Sequence, residues 1–189
     1  MKSEQHNITG VILAAGGSSR MGHPKALLEW KEQPLVLHHI QALEQRCQQV
    51  IVVLGANANT ISSVLPERVH VVLNTQWKET ELRDSLRIGL ENVKGPAFVT
   101  PIDLPPAPAQ VLDALIGSGT PSVPTYGQRT GHPVFIDAEQ TSQQLHHERL
   151  DQILSSASKV AVNWPDAVLN LNTPEQWHTY LSLGPAPFI

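Results

Sequence analysis

The stretch that decides the fold is VILAAGGSSRMGHPKALL, residues 11–28. It opens with five apolar residues and continues into a loop that holds three glycines and two cationic side chains, Arg20 and Lys25. A short apolar run bounded by glycine predicts a buried strand. Glycines let successive backbone N–H groups converge on one point, and cationic side chains add positive charge there, which suits a polyphosphate. The stretch therefore predicts a nucleoside triphosphate site at the end of the first strand.

The rest of the chain alternates short apolar runs with helical segments. Strands are predicted over 50–54, 70–73, 97–100, 122–124, 134–136 and 160–162. Helices are predicted over 34–46, 60–65, 107–116 and 142–154, with two more that begin at 82 and 174. This alternation predicts an α/β protein, a single three-layer α/β/α domain over residues 1–189 with a mostly parallel, Rossmann-like sheet. Ligands of such sheets bind at the carboxyl ends of the strands.

The charge balance restricts the kind of partner. The formal net charge is -4, from 13 Lys plus Arg against 17 Asp plus Glu, so no general basic field is available to hold nucleic acid. Any phosphate binding must therefore be local. Cys47 is the only cysteine, which excludes an intrachain disulfide.

No stretch has the pattern of a targeting or membrane-spanning segment. The first ten residues, MKSEQHNITG, are polar, and nowhere do about 18 apolar residues follow one another. We therefore expect a cytoplasmic protein that binds neither membrane nor nucleic acid.

Spacing within the glycine loop separates three kinds of phosphate-binding motif. A dinucleotide fingerprint needs G-x-G-x-x-G, which no frame of the loop supplies. A P-loop needs Lys and Ser or Thr after its second glycine, but His23 and Pro24 stand there, and Pro24 has no N–H to offer. What remains is L-A-A-G-x-S-x-R-M-G-x-x-K, residues 13–25, a different phosphate-cradling loop.

Residues 13–25 resemble the signature of the nucleotidyltransferases of molybdenum cofactor maturation, within the nucleotidyltransferase superfamily of glycosyltransferase-A-like fold. The resemblance implies that the loop wraps the triphosphate and that Arg20 and Lys25 neutralise the leaving pyrophosphate. LAAG is the form of the cytidylyl-type members, where guanylyl-type members usually show LAGG, so it implies CTP. The nucleotide-binding residues implied are Leu13, Ala14, Ala15, Gly16, Gly17, Ser18, Ser19, Arg20, Gly22, Lys25 and Asp103.

Asp103 is the second candidate group. It follows a buried strand and so is expected at the same edge of the sheet as the glycine loop, where a hard carboxylate near phosphates suits Mg²⁺. The alternative is that Asp103 caps the following helix, a position where Asp is common. The D-x-P pattern of Asp103 to Pro105 resembles the metal-binding motif of the family. With Arg20 and Lys25, Asp103 completes the predicted catalytic set.

A second metal ligand is predicted in NLNTPE, residues 170–175. Alone, this stretch indicates a helix start, with Asn172 or Thr173 as the cap and Pro174 in the first turn. The family places a similar stretch against the metal, which implies Asn172 as a ligand and leaves open whether Asn170 or Asn172 faces the ion. The Asn form is closer to the guanylyl-type pattern, in contrast to LAAG.

The acceptor side is predicted from GQRTGHPV, residues 127–134, which resembles a segment that lies beside the acceptor in the family. Arg129, Gly131 and His132 are the candidate acceptor-binding residues, and a buried structural histidine is the alternative for His132. Arg129 suits an anionic acceptor. The sequence also departs from the family, because residues 145–151, LHHERLD, stand where cytidylyl-type relatives carry a pterin-holding G-D-x-G-A-R segment.

These motifs predict a Mg²⁺-dependent nucleotidyltransferase. It would move a nucleoside monophosphate from an NTP, CTP by the LAAG pattern, to a phosphorylated acceptor, with release of pyrophosphate. The resemblance implies molybdopterin or its molybdenum form as acceptor and a molybdoenzyme as the protein that receives the cofactor. The alternatives are the same chemistry with GTP or with a sugar or alditol phosphate, and a non-catalytic nucleotide-binding or cofactor-chaperone module.

Overall fold

A computed structural model describes residues 7–184, and within this range the chain forms ten strands and seven α-helices. The strands are β1 (Thr9–Ala14), β2 (Glu29–Trp30), β3 (Gln33–Pro34), β4 (Gln49–Leu54), β5 (His70–Leu73), β6 (Pro96–Pro101), β7 (Ser122–Tyr126), β8 (Arg129–Thr130), β9 (Val134–Asp137) and β10 (Ser158–Ala161). The helices are α1 (Leu35–Glu44), α2 (Ala58–Ser62), α3 (Leu82–Leu90), α4 (Ala109–Ser118), α5 (Ala138–Gln144), α6 (Leu150–Ile153) and α7 (Pro174–Leu183). None of these helices is long and apolar enough to cross a membrane.

The described chain places eight strands in one sheet, in the order β10-β7-β9-β6-β1-β4-β5, with β8 paired to β7. β1 lies at the centre and pairs in parallel with both β4 and β6. Its continuous apolar sequence fits this position, since a strand flanked by two others and covered on both faces has no polar side. The predicted α/β class with a mostly parallel sheet is confirmed.

Alternate residues of the central strands enter two separate cores, one on each face of the sheet. Ile12 and Ala14 of β1 pack in the core that includes α1, α4 and α7. Val11 and Leu13 pack in the core that includes α3, α5 and α6. This alternation follows from the period of two along a strand, and it produces the three layers that the sequence predicts.

Two features of the sheet differ from the sequence prediction. β9 is antiparallel to β6 and to β7, so two strands, β8 and β9, reverse the direction of the described sheet. β2 and β3 form a small separate hairpin between the glycine loop and α1, and no strand was predicted there. The apolar residues of β9 fit a sheet in either direction, and strands of two residues carry no periodicity, so neither feature has a sequence signal.

Candidate active site

The loop that follows β1 is held by its own backbone. Met21 and Gly22 donate their N–H groups to the carbonyl oxygen of Ser18, at 2.9 and 3.2 Å, which closes a turn. Gly22 has a φ of 69°, a value that favours glycine. The buried Met21 side chain anchors the turn, while Gly16, Gly17 and Arg20 remain exposed. The loop therefore presents exposed backbone and a cationic side chain at the carboxyl end of the central strand.

Trp77 and Gly55 hold the other side of the loop. A Cβ on Gly55 would lie 2.6 Å from the Ala15 carbonyl oxygen and 2.6 Å from Trp77 Cβ, so only glycine fits. A Cβ on Gly17 would lie 3.0 Å from the Trp77 ring. The loop is thus packed between the end of β4 and Trp77.

The buried Asn74 fixes the segment that carries Trp77. Its N–H donates to the Leu54 carbonyl at 2.7 Å, and its side-chain amide donates to Thr80 Oγ1 and Ser85 Oγ, both at 2.9 Å. Its Oδ1 accepts from Gln76 N at 3.0 Å. Neither Asn74 nor Trp77 was among the predicted site residues, although a tryptophan in a polar loop after a buried strand is a signal that could have found them.

Lys25 meets Asp103 and Asn172 next to the glycine loop. Lys25 Nζ donates to Asn172 Oδ1 at 2.7 Å and lies 3.4 Å from Asp103 Oδ2. Asp103 is brought to the loop because β6 pairs with β1, so that the two strands end side by side. Asn172 is brought there because Leu171 N donates to the Asp103 carbonyl at 2.7 Å. Asn172, and not Asn170, is therefore the asparagine that faces this group.

These side chains line a pocket of about 210 Å³, called the phosphate pocket from here on. Its lining residues are Leu13, Gly16, Ser18, Ser19, Arg20, Lys25, Leu82, Pro101, Ile102, Asp103 and Asn172. Eight of them were predicted from the sequence. Of the other predicted residues on this side, Ala14 and Ala15 are buried in the two cores, and Gly17 and Gly22 belong to the loop backbone.

The residues of the phosphate pocket fit a hard divalent cation in part. Asp103 Oδ1 is buried and has no hydrogen-bond partner among residues 7–184, so one carboxylate oxygen remains available. Carboxylate and amide oxygens are suitable ligands for Mg²⁺. Within the described chain no group of three or more His, Cys, Asp or Glu side chains is placed to hold a metal. Asp103 and Asn172 therefore offer an incomplete ligand set, which phosphate oxygens would have to complete.

A larger cavity of about 670 Å³, called the trough from here on, adjoins the phosphate pocket. Leu13, Leu82 and Pro101 line both. The other trough residues are Glu81, Arg83, Leu86, Val123, Thr130, Gly131, His132, Val134, Arg149, Leu150, Asp151, Leu154, Ser155 and Lys159. The trough therefore combines an apolar floor with cationic side chains from α3, α6's N-cap and β10.

The predicted acceptor residues fall in two places. Gly131 and His132 line the trough, whereas Arg129 is absent from the described lining of either cavity and donates instead to the Val168 carbonyl at 2.9 Å. Gly131 is tightly enclosed, since a Cβ there would lie 1.9 Å from the Ala167 carbonyl oxygen. The cationic trough residues Arg83, Arg149 and Lys159 were not predicted, because they come from three separate elements and share no motif.

His132 is a buried titratable group in the lining of the trough. Burial lowers its pKa, while a hydrogen bond with the Val99 backbone and the charge of Asp103 oppose that effect. Its backbone N–H donates to the Ala167 carbonyl at 2.9 Å. Its Nδ1 is buried and has no hydrogen-bond partner among the described residues.

The fold and site together define a class: a mixed α/β domain that presents a glycine loop, cationic side chains and a carboxylate at neighbouring strand ends. Residues 10–163 match the model of the MobA-like NTP transferase domain. The chain belongs to this family.

Three curated proteins and one solved structure are similar to this chain over most of its length. Nicotine blue oxidoreductase of Paenarthrobacter nicotinovorans is 32% identical over 146 residues, 69% of this chain and 71% of that protein. A probable molybdenum cofactor guanylyltransferase of Rhodopirellula baltica is 29% identical over 187 residues, 88% of each chain. The molybdenum cofactor cytidylyltransferase of Escherichia coli is 21% identical over 179 residues, 89% of this chain and 93% of that one.

The solved structure shows that the fold extends over almost the whole chain. The crystal structure of Rv0371c from Mycobacterium tuberculosis H37Rv superposes with a TM-score of 0.81 and 23% identity, and covers 94% of this chain and 99% of that one. At this identity the likeness concerns the fold alone.

Proposed function

We propose that this protein transfers a nucleotidyl group from CTP or GTP to the phosphate of a small acceptor of the molybdopterin type. The observation that carries the proposal is the convergence of Lys25, Asp103 and Asn172 at the glycine loop, in a phosphate pocket that adjoins the trough. A donor triphosphate and an acceptor then occupy adjoining cavities with their reacting groups at the shared boundary.

The reaction is an in-line displacement at the α-phosphorus. An oxygen of the acceptor phosphate forms a bond to that phosphorus, the bond from it to the oxygen bridging to the β-phosphate breaks, and pyrophosphate leaves. Arg20 and Lys25 stabilise the charge on the leaving group. Asp103 and Asn172 would hold Mg²⁺, which would supply neutralisation of the phosphate charge. Positioning and electrostatics account for such catalysis, and it requires no protein nucleophile.

The trough supports an elongated acceptor. Its floor takes one residue from each of five neighbouring strands, which are Leu13, Pro101, Val134, Val123 and Lys159. Four spacings between adjacent strands correspond to ~19 Å. Arg149 and Lys159 also line the trough and suit a negatively charged group, and Arg149 Nε donates to Asp151 Oδ1 of the same lining at 3.1 Å. An acceptor with a phosphate, an apolar body and a polar group matches this arrangement.

CTP and GTP are supported as donors by different observations. The LAAG stretch of residues 13–16 favours CTP, whereas the relative of Rhodopirellula baltica, with higher identity than the cytidylyltransferase of Escherichia coli, is named a guanylyltransferase. NLNTPE, the stretch that contains Asn172, is also closer to the guanylyl-type pattern. Base preference is therefore the first property to measure.

The test is pyrophosphate release from CTP, GTP, ATP and UTP, each with and without molybdopterin, followed by mass spectrometry of the product. We expect acceptor-dependent release with CTP or GTP and a product that contains the nucleoside monophosphate. Triphosphate binding without release in the presence of molybdopterin, sugar phosphates and alditol phosphates would identify a non-catalytic module and overturn the proposal.

A further inference from the structure

The Lys25 ammonium contacts the two side chains that would bind a divalent cation. Lys25 Nζ is 2.7 Å from Asn172 Oδ1 and 3.4 Å from Asp103 Oδ2, the same two side chains that would hold the metal. The Lys25 side chain is only 12% exposed, so the ammonium is well inside the phosphate pocket. Mg²⁺ requires its oxygen ligands at ~2.1 Å. An ion bound to Asn172 Oδ1 and Asp103 Oδ2 would compete with the ammonium for both oxygens.

We propose that Lys25 occupies this site in the nucleotide-free protein and that a divalent cation enters only together with the triphosphate. The inference rests on the proposed function, because it takes the phosphate pocket to be the triphosphate site. It gives Lys25 a second role: in the free protein it excludes the metal, and in the complex it binds phosphate.

Competition for the two oxygens favours the lysine when no nucleotide is present. Asp103 and Asn172 supply one carboxylate and one amide, and residues 7–184 contain no cluster of three or more His, Cys, Asp or Glu side chains that could strengthen the site. A lysine tethered to the same loop competes with a free ion without loss of translational freedom. Two cations held a few ångströms apart in a partly buried pocket repel each other strongly. Binding of the metal therefore requires the Lys25 ammonium to leave Asp103 and Asn172.

A bound triphosphate affects both competitors, the metal ion and the Lys25 ammonium. Its oxygens complete the ligand set of the metal, and its negative charge gives the Lys25 ammonium a new partner. Lys25 can reach that partner without a change of backbone, because its N–H is already held by Ser18 Oγ of the glycine loop at 3.2 Å. Ser18, Arg20 and Lys25 line the same pocket. Metal and nucleotide are then coupled, and each raises the affinity for the other by the same factor.

The test is a titration with Mn²⁺ alone, followed by electron paramagnetic resonance of the free ion. Lys25→Met removes the ammonium and keeps the length of the side chain. In the absence of nucleotide we expect it to bind Mn²⁺ about tenfold more tightly than the wild type. Lys94→Met is the matched control, since Lys94 is exposed before the amino end of β6, at the opposite edge of the sheet, and should bind Mn²⁺ like the wild type.

A second variant locates the ion. Adding Asp103→Asn to Lys25→Met should remove the gained affinity, and the same gain in both backgrounds would place the Mn²⁺ elsewhere and overturn the proposal. Unchanged or weaker Mn²⁺ binding by a folded Lys25→Met, checked by its thermal unfolding midpoint, would also overturn it. If that variant does not fold, Lys25→Gln takes its place with the same two outcomes.

The coupling has its own readout. With a non-hydrolysable CTP or GTP analogue present, Mn²⁺ affinity should rise by a larger factor in the wild type than in Lys25→Met. Equal factors in the two proteins would contradict the inference. Failure of the proposed function is a separate result, because it is measured as absent pyrophosphate release and does not alter the Mn²⁺ titration of the nucleotide-free protein.

Discussion

The phosphate pocket and the trough are built in different ways. The phosphate pocket takes most of its polar groups from one loop and fixes the rest by backbone contacts, such as Leu171 N to the Asp103 carbonyl at 2.7 Å. The trough takes single residues from six strands and adds side chains from α3 and from around α6. A pocket built from a local motif can be recognised in a sequence, whereas a cavity built from scattered positions cannot. The following predictions test this division, from the largest effect to the smallest.

Asp103→Ala should have the largest effect on the donor side. We expect turnover to fall at least ~1,000-fold, because the phosphate pocket loses the one carboxylate that residues 7–184 contribute to its lining. The fold should remain, since the Asp103 side chain is 25% exposed and the Lys25 ammonium keeps its hydrogen bond to Asn172 Oδ1 at 2.7 Å. Pyrophosphate release and a thermal unfolding curve measure the two effects. Activity within a few-fold of the wild type would mean that the metal ligand has been misassigned.

Acidification should lower the free energy of unfolding through His39, a buried residue that contacts Leu104, the residue after Asp103. The buried His39 of α1 donates from Nε2 to the carbonyl of Leu104 at 2.9 Å, and burial lowers its pKa from 6.5 to about 4. Between pH 6.5 and 4 the unfolded chain therefore binds a proton at His39 that the folded chain does not bind. The contribution of His39 to the free energy of unfolding is complete above pH 6.5 and is lost as the pH falls toward 4. This histidine should account for about 3 kcal/mol of the free energy of unfolding over that interval.

Urea unfolding at a series of pH values measures the acid effect. His39→Gln keeps a donor for the Leu104 carbonyl and removes the titration, so its stability should depend less on pH between 6.5 and 4. An identical pH dependence in the variant and the wild type would remove His39 from this account.

Lys25→Ala should weaken the donor side without affecting acceptor affinity. We expect kcat/KM for the triphosphate to fall about 100-fold, since the ammonium that stabilises the leaving pyrophosphate is lost. The KM for the acceptor should stay unchanged, because Lys25 does not belong to the described lining of the trough. Initial rates at varied concentrations of each substrate separate the two constants. Wild-type constants would remove Lys25 from the site.

The double variant Arg149→Ala and Lys159→Ala should show the opposite pattern, with a smaller effect. The acceptor KM should rise about tenfold, because two exposed charge-assisted contacts are lost, while the KM for the triphosphate should not change. Lys94→Ala is the control for loss of a surface charge. An increase in the triphosphate KM instead would show that the trough and the phosphate pocket do not divide the substrates as proposed.

The difference between a pocket built from one loop and a cavity built from scattered residues also explains which features the sequence could predict. The structure confirms the predicted strands at 50–54 and 70–73. It also confirms the helices predicted to begin at Leu82 and Pro174. These segments have a continuous apolar run, leucines spaced by four, or a capping signal. The direction of β9 and the hairpin of β2 and β3 have no such signal, because an apolar strand of four residues fits a sheet in both directions.

Within the site, local spacing identified the residues from Gly16 to Lys25, and the structure places eight predicted residues around one pocket. The choice between Asn170 and Asn172 needed the backbone bond between Leu171 and Asp103, which links positions far apart in the chain. The trough cations Arg83, Arg149 and Lys159 had no motif, and only the folded sheet brings them to one cavity. The roles given to all these residues stay predictions until substrates are bound.

A crystal structure with Mn²⁺ and a non-hydrolysable analogue of CTP or GTP tests the central claim most directly. The anomalous signal of Mn²⁺ reports the position of the metal independently of the nucleotide. The account predicts one Mn²⁺ ion bound by oxygens of Asp103 and Asn172, a triphosphate on the glycine loop, and Lys25 Nζ moved from Asn172 to a phosphate oxygen. A triphosphate in the trough, or Mn²⁺ bound away from Asp103, would contradict it.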